Sequence, residues 1–161
     1  MSDTIHIVSD VSKEERYAQL YPQLKALLHG ETDLVANLSN TSAVLKQSFK
    51  FLWVGFYLVK DNELVLGPFQ GEIACTRIGF GKGVYGTAWQ KEQTIIVSNV
   101  DEFVGHIACS SRSKSEIVIP IMKADKVVAV LDIDSDKLDD FSSTDQIELE
   151  KIVELLIPFF E

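Results

Sequence analysis

Two cysteines, Cys75 and Cys109, and three acidic residues, Glu116, Asp132 and Asp134, are where this sequence can do chemistry. Cys109 lies in Gly105-His106-Ile107-Ala108-Cys109-Ser110-Ser111-Arg112-Ser113-Lys114-Ser115, a loop of mostly small and polar residues. Glu116 follows at once and opens the apolar run Ile117-Val118-Ile119-Pro120, which reads as a buried strand. A loop held by a rigid scaffold is where reactive groups usually sit. Cys109 is therefore the first candidate nucleophile, with Glu116 placed where a strand could aim it back at the loop. Asp132 and Asp134 are two apart in a second such run, so an extended chain points both carboxylates to one face, roughly 7 Å apart. Paired carboxylates on a sheet face can hold an ammonium group. Crowding can also raise the pKa of one of them until it keeps a proton to donate.

Other readings of these residues stand beside that one. Two cysteines are buried thiols, metal ligands or redox groups. His106-x-x-Cys109 with Cys75 offers three ligands where a closed zinc site needs four, and there is no C-x-x-C pair, so no metal is expected. That leaves His106 as a structural residue of the loop. Asp132-Ile133-Asp134-Ser135-Asp136 has the look of a calcium-loop start, but Lys137 replaces the required glycine and Ser143 the bidentate Glu. Gly81-Lys82-Gly83-Val84-Tyr85-Gly86 fits G-x-G-x-x-G, yet it follows no buried parallel strand, and Lys82 precedes a glycine. Its glycines read as loop geometry.

The elements that must position these groups follow from periodicity. Ser12-Lys13-Glu14-Glu15 is a capping box opening a helix with Tyr17, Leu20, Tyr21, Leu24, Leu27 and Leu28 on its apolar side. Pro22 should kink or divide that helix, and Gly30 should end it. Thr32 caps a second helix carrying Leu34, Val35, Leu38, Leu45 and Phe49. Phe51 to Val59 is a strand, with Leu52, Val54, Phe56 and Leu58 facing the core. Its other face, Trp53, Gly55 and Tyr57, walls a pocket or forms a second core surface. Asp61-Asn62 turns the chain into a returning strand, Glu63 to Phe69. A short helix from Val84 to about Lys91, a strand from Thr94 to Ser98 and a long loop from Asn99 to Ser115 come next. Glu116 to Met122 and Val127 to Ile133 form a second hairpin, and Ser143-Thr144-Asp145-Gln146 caps a last helix with Leu149, Ile152, Val153, Leu156 and Phe160. Hairpin links predict an α+β domain, a mainly antiparallel sheet with helices on both faces.

Composition limits the partners. The 161 residues fit one domain, 1–161, with a real core, and 46% of them are apolar. The net charge, 15 − 24 = −9, excludes the usual electrostatics of nucleic-acid or anionic-membrane binding. Met1-Ser2-Asp3-Thr4 lacks a basic segment followed by an apolar run, and no apolar stretch would span a bilayer, so the cytoplasm is the expected compartment.

Taken in order, Trp53-Val54-Gly55-Phe56-Tyr57, Leu66-Gly67-Pro68-Phe69-Gln70-Gly71, Ile73-Ala74-Cys75-Thr76-Arg77-Ile78, Gly81-Lys82-Gly83-Val84, Gly105-His106-Ile107-Ala108-Cys109, Ser115-Glu116-Ile117-Val118 and Leu131-Asp132-Ile133-Asp134-Ser135 resemble the free methionine-R-sulfoxide reductases. These are small enzymes of the GAF fold, and the resemblance covers nearly the whole chain. It implies a single GAF-like domain whose Cys-bearing loops close a pocket. It implies that Cys109 is the nucleophile and Cys75 its disulfide partner. It implies that Glu116, Asp132 and Asp134 bind the substrate ammonium and sulfoxide oxygen, and that Trp53 and Tyr57 wall the S-methyl group. Many relatives carry a third cysteine where this chain has Tyr85, so Cys75 must be the resolving thiol.

The implied reaction reduces free L-methionine-(R)-sulfoxide, a product of oxidative stress. Glu116 or Asp134 protonates the sulfoxide oxygen and Cys109 thiolate attacks the sulfur. Methionine leaves, and the resulting Cys109 sulfenic acid condenses with Cys75. Thioredoxin or a similar dithiol restores both thiols, without metal or organic cofactor. The alternative is a GAF domain that senses a small ligand or redox state without turnover. The sequence leaves the oligomeric state, a homodimer included, undecided.

Overall fold

The computed structural model describes residues 4–161. The reading of Met1 to Asp3 lies outside them. Two helices come first, α1 (Lys13–Leu28) and α2 (Leu34–Phe49). The Ser12 side chain accepts from the Glu15 amide and the Glu15 carboxylate accepts from the Ser12 amide, so the expected capping box opens α1. Pro22 does not divide the helix, which runs unbroken past it. Ala18, whose carbonyl Pro22 leaves without a helical donor, is exposed and so is Pro22 itself, so water can satisfy the freed group. The buried face, Tyr17, Leu20, Leu24 and Leu28, is on the other side. α2 is capped by Asp33 rather than Thr32, its carboxylate accepting from the Ala36 amide at 2.8 Å. Val35, expected on the apolar side of this helix, instead points outward and is exposed.

Six strands form the sheet: β1 (Trp53–Lys60), β2 (Glu63–Gln70), β3 (Arg77–Gly79), β4 (Ile95–Val97), β5 (Ser115–Lys123) and β6 (Lys126–Ser135). Their order is β3-β2-β1-β6-β5-β4, and every neighbouring pair is antiparallel. Both hairpin turns use residues in the left-handed region, Asp61 and Asn62 in one and Ala124 and Asp125 in the other. α3 (Gly83–Lys91) sits between β3 and β4, and α4 (Ser143–Leu156) closes the fold. The cap of α4 is Ser142, one residue before the expected Ser143, and its box partner is Asp145.

The sheet separates two apolar layers. On one side α1, α2 and α4 pack Leu20, Leu38, Leu45, Leu149 and Ile152 against Val54, Phe56, Ile117, Ile119, Leu131 and Ile133. On the other, α3 packs Val84, Tyr85 and Ala88 against Trp53, Tyr57, Val118 and Val130. The expected α+β domain with helices on both faces is therefore what forms. Among the described residues no helix is long and apolar enough to cross a membrane.

Candidate active site

Register decides which side chains meet on the α3 side of the sheet. Trp53 pairs with Asp134 and Gly55 with Asp132 between β1 and β6. Across β5 and β6, Asp134 stands opposite Glu116 and Asp132 opposite Val118. Directly paired residues share a face, so Trp53, Gly55 and Tyr57 lie on the same surface as the three carboxylates. Trp53 lies down over Gly55: a Cβ there would stand 2.4 Å from Trp53 Cη2 and from Phe69 Cβ. The close approach requires a residue without a side chain. Trp53 then stacks on Phe69 with centroids 5.3 Å apart.

The aromatic pair also anchors the Cys75 loop. Trp53 Nε1 donates to the Glu72 carbonyl at 3.0 Å, and the Tyr57 hydroxyl donates to the Cys75 carbonyl at 2.9 Å. The Cys109 loop is pinned from its other end. Its Ser113 hydroxyl donates to Asp134 Oδ1 at 2.5 Å and the Lys114 amide to the Ser135 carbonyl at 2.8 Å. The two loops meet in a Cys75–Cys109 disulfide with the Cα atoms 5.5 Å apart. An exposed Arg112–Glu72 ion pair at 2.7 Å joins them again. Cys75 is half-buried, and so is Ser110 beside Cys109. Beneath the loops is a narrow cavity lined by Trp53, Tyr57, Tyr85, His106, Cys109, Ser113 and Asp134.

The electrostatics of its floor are unusual. Glu116 and Asp132 are 0% and 1% exposed and Asp134 is 8% exposed. One oxygen from each of the three lies within 4.8 Å of the others. Both oxygens of Glu116 and Oδ1 of Asp132 have no hydrogen-bond partner among the described residues. Burial first, then the charges of Asp134 and Glu116, hold the Asp132 carboxyl well above the usual carboxylate range. Burial and Glu116 raise Asp134 to about 7 against the opposing hydrogen bond from Ser113. His106 belongs to this site, not only to the loop. Its Nε2 lies 3.7 Å from Glu116 Oε2, and that acidic partner raises its pKa while burial opposes. The pair is too long for a direct hydrogen bond. Such a cluster can receive a compact cation, either an ammonium group or a hard metal ion bound through oxygen.

The structure thus gathers Cys75, Cys109, Trp53, Tyr57 and the three acids in one place. Two further residues of the site are not evident from the chain. Ser113 is a serine among many, with no local signal of its contact to Asp134. Tyr85 falls in a short helix, where its spacing alone does not show that it lines the cavity beside Cys109.

With this geometry in view, comparison with known proteins decides the family. A GAF domain model matches residues 31–156. Free methionine-R-sulfoxide reductase of Escherichia coli (strain K12) is 46% identical, over 89% of this chain and 87% of that protein. The chain is a GAF-domain protein of the free methionine-R-sulfoxide reductase family. GAF domain-containing protein A of Dictyostelium discoideum is 58% identical over 92% of this chain and 95% of that one. The X-ray structure of the Neisseria meningitidis free methionine-R-sulfoxide reductase in complex with its substrate superimposes with a TM-score of 0.95. It is 47% identical, covering 98% of this chain and 95% of that one.

Proposed function

We propose that this protein reduces free L-methionine-(R)-sulfoxide to methionine with Cys109 as nucleophile. The observation that carries the reading is a set of buried carboxylate oxygens without partners, floored beneath a Cys75–Cys109 disulfide. Buried polar atoms left unpaired cost free energy, so the site is built for a group that supplies donors and positive charge. The ammonium of a free amino acid is such a group. Trp53 and Tyr57 form the apolar wall for the S-methyl end.

The steps balance with the groups present. Asp134 or Glu116 hands a proton to the sulfoxide oxygen, and Cys109 thiolate attacks the sulfur. The protonated oxygen passes as hydroxyl to the Cys109 sulfur while the substrate sulfur–oxygen bond and the transient Cys109–substrate sulfur bond break, so methionine departs with the electron pair and Cys109 is left as a sulfenic acid. Cys75 condenses with it, releasing water and forming the disulfide. A dithiol protein of the thioredoxin type then supplies two electrons and two protons, with the half-buried Cys75 within its reach. A reducing compartment such as the cytoplasm suits this cycle, and residues 1–161 act as one domain. The oxygen donors of the acidic cluster serve substrate rather than a metal.

The test measures methionine formed from racemic methionine sulfoxide with dithiothreitol as reductant. Wild type should consume the R epimer and leave the S epimer, and Cys109→Ser should be inactive, because serine is a far weaker nucleophile near neutral pH. Near-wild-type turnover in Cys109→Ser sinks the assignment. No turnover in wild type leaves the domain as a sensor.

A further inference from the structure

One polar group in the cavity has no task in the reaction just described. Tyr85, the third residue of α3, is 4% exposed and lies against Tyr57 with ring centroids 5.1 Å apart and planes tilted by 56°. Trp53, Tyr57 and Tyr85 therefore make a continuous aromatic row. The Tyr57 hydroxyl is occupied by the Cys75 carbonyl. The Tyr85 hydroxyl has no hydrogen-bond partner among the described residues, and it is not fully enclosed. Tyr85 lines the same cavity as Cys109, His106 and Asp134.

We propose that the Tyr85 hydroxyl is a substrate-contacting group that donates a hydrogen bond to the sulfoxide oxygen. The inference rests on the methionine sulfoxide reading above and adds to it a residue that acts on the reacting oxygen. Burial, and then the nearby Asp132 and Glu116, raise the pKa of this phenol, so it stays a donor throughout the working range. The acceptor it meets must tolerate the field of three carboxylates. The substrate carboxylate is repelled by that field, whereas the sulfoxide carries no net charge and exposes a strongly dipolar oxygen. That oxygen is bonded directly to the sulfur that Cys109 attacks, so it must lie beside the reacting thiol. There it can accept one hydrogen bond from Tyr85 while an acid of the cluster delivers the proton. A donor aimed at an oxygen that gains electron density is worth most in the transition state.

Tyr85→Phe tests it, because the variant keeps the ring packed on Tyr57 and removes only the donor. Affinities for methionine sulfoxide and for methionine are measured in Cys109→Ser and in Cys109→Ser/Tyr85→Phe, so that no turnover intervenes. Loss of the phenol should weaken sulfoxide binding about tenfold and leave methionine, which lacks the oxygen, within about twofold. In the active background, kcat/KM should fall by at least the same factor with Tm unchanged. Equal weakening of both ligands would make Tyr85 a packing residue and overturn the proposal, as would unchanged affinity for both. Should wild type bind and consume no sulfoxide at all, the functional reading falls and takes this inference with it. A wild type that turns over normally beside an indistinguishable Tyr85→Phe overturns the inference alone.

Discussion

Glu116 and Asp134 stand directly opposite each other on β5 and β6, two buried acids paired across a ladder where like charges repel. The fold tolerates the arrangement because protons and donors are distributed around it. Ser113 donates to Asp134, His106 approaches Glu116, and Asp134 holds a proton up to about pH 7. Replacing either acid by its amide keeps the shape and removes the proton donor or the charge contact. Glu116→Gln and Asp134→Asn should each lower kcat/KM on the order of 10²-fold or more, within the range of a lost general acid. Circular dichroism should report an intact fold. Two variants with wild-type kinetics would reduce the cluster to a polar strand end.

The raised pKa values also make stability depend on pH with a definite sign. Asp134 binds its proton more tightly when folded than when unfolded, where its pKa returns to the ordinary carboxylate range. The stabilisation from that proton is therefore complete below about pH 4 and is lost as pH rises through about 7. Asp132, shifted in the same direction, adds to the trend. Wild-type Tm should fall between about pH 5 and pH 8 by more than that of Asp134→Asn. Parallel Tm curves for the two proteins would show that Asp134 is ionised throughout.

Cys75 has no part in releasing methionine and a full part in closing the catalytic cycle. With one equivalent of enzyme and no reductant, Cys75→Ser should still yield about one methionine per chain and accumulate a sulfenic acid trapped by dimedone. Mass spectrometry of Cys109 reads the adduct directly. If Cys75→Ser loses the single turnover while Cys109→Ser retains it, the two roles are reversed.

Much of this site is legible in the chain because a strand has a period of two. Trp53 and Tyr57 on one strand, and Asp132 and Asp134 on another, each declare a shared face through their spacing alone. Which strands lie side by side is a tertiary fact. Nothing local says that Gly55 pairs with Asp132, or that Glu116 comes opposite Asp134. Loop contacts are further from reach. His106 meets Glu116 because the segment between them folds back, and spacing alone does not disclose it. The caps of α2 and α4 fall one residue from where the pattern puts them, at Asp33 and Ser142, since adjacent Thr, Asp and Ser residues can all cap. Pro22 departs from expectation for a different reason: its cost falls on a carbonyl that water can reach.

The opposite face of the sheet offers a control. Asp145 is 0% exposed and receives Lys13 Nζ at 2.7 Å, the Tyr17 hydroxyl at 2.7 Å and the Ser142 amide at 2.8 Å. One side chain thus caps α4 and ties it to α1. Asp145→Ala leaves the buried Tyr17 hydroxyl without an acceptor and removes half of the capping box. It should destabilise the fold by about 3–5 kcal/mol, as for a broken buried charge network. Urea unfolding gives the value, and kcat/KM below the transition should remain that of wild type. A loss under about 1 kcal/mol would mean that water replaces Asp145 without difficulty.

The acidic floor also decides which sulfoxides are accepted. Glu116 offers two unpartnered oxygens and Asp132 one, all buried. A free amino acid brings an ammonium group with three donors and a positive charge. A methionine sulfoxide within a polypeptide, or an N-acetylated one, brings a neutral amide with a single donor and further atoms beyond it. Those atoms would have to pass between the Cys75 and Cys109 loops, which the Glu72–Arg112 ion pair joins whether or not the cysteines are bonded. Sites built around a missing polar group discriminate strongly, on the order of 10⁴-fold, because their own buried groups stay unpaired. The measurement is kcat/KM for free and N-acetyl-methionine sulfoxide at equal dithiothreitol, with Glu116→Gln alongside. Free substrate should be preferred by about that factor, and the preference should shrink in Glu116→Gln, where one charge no longer reads the ammonium. Comparable values for the two substrates in wild type would show that the carboxylates do not recognise the amino group, and the assignment to the free amino acid would have to be abandoned.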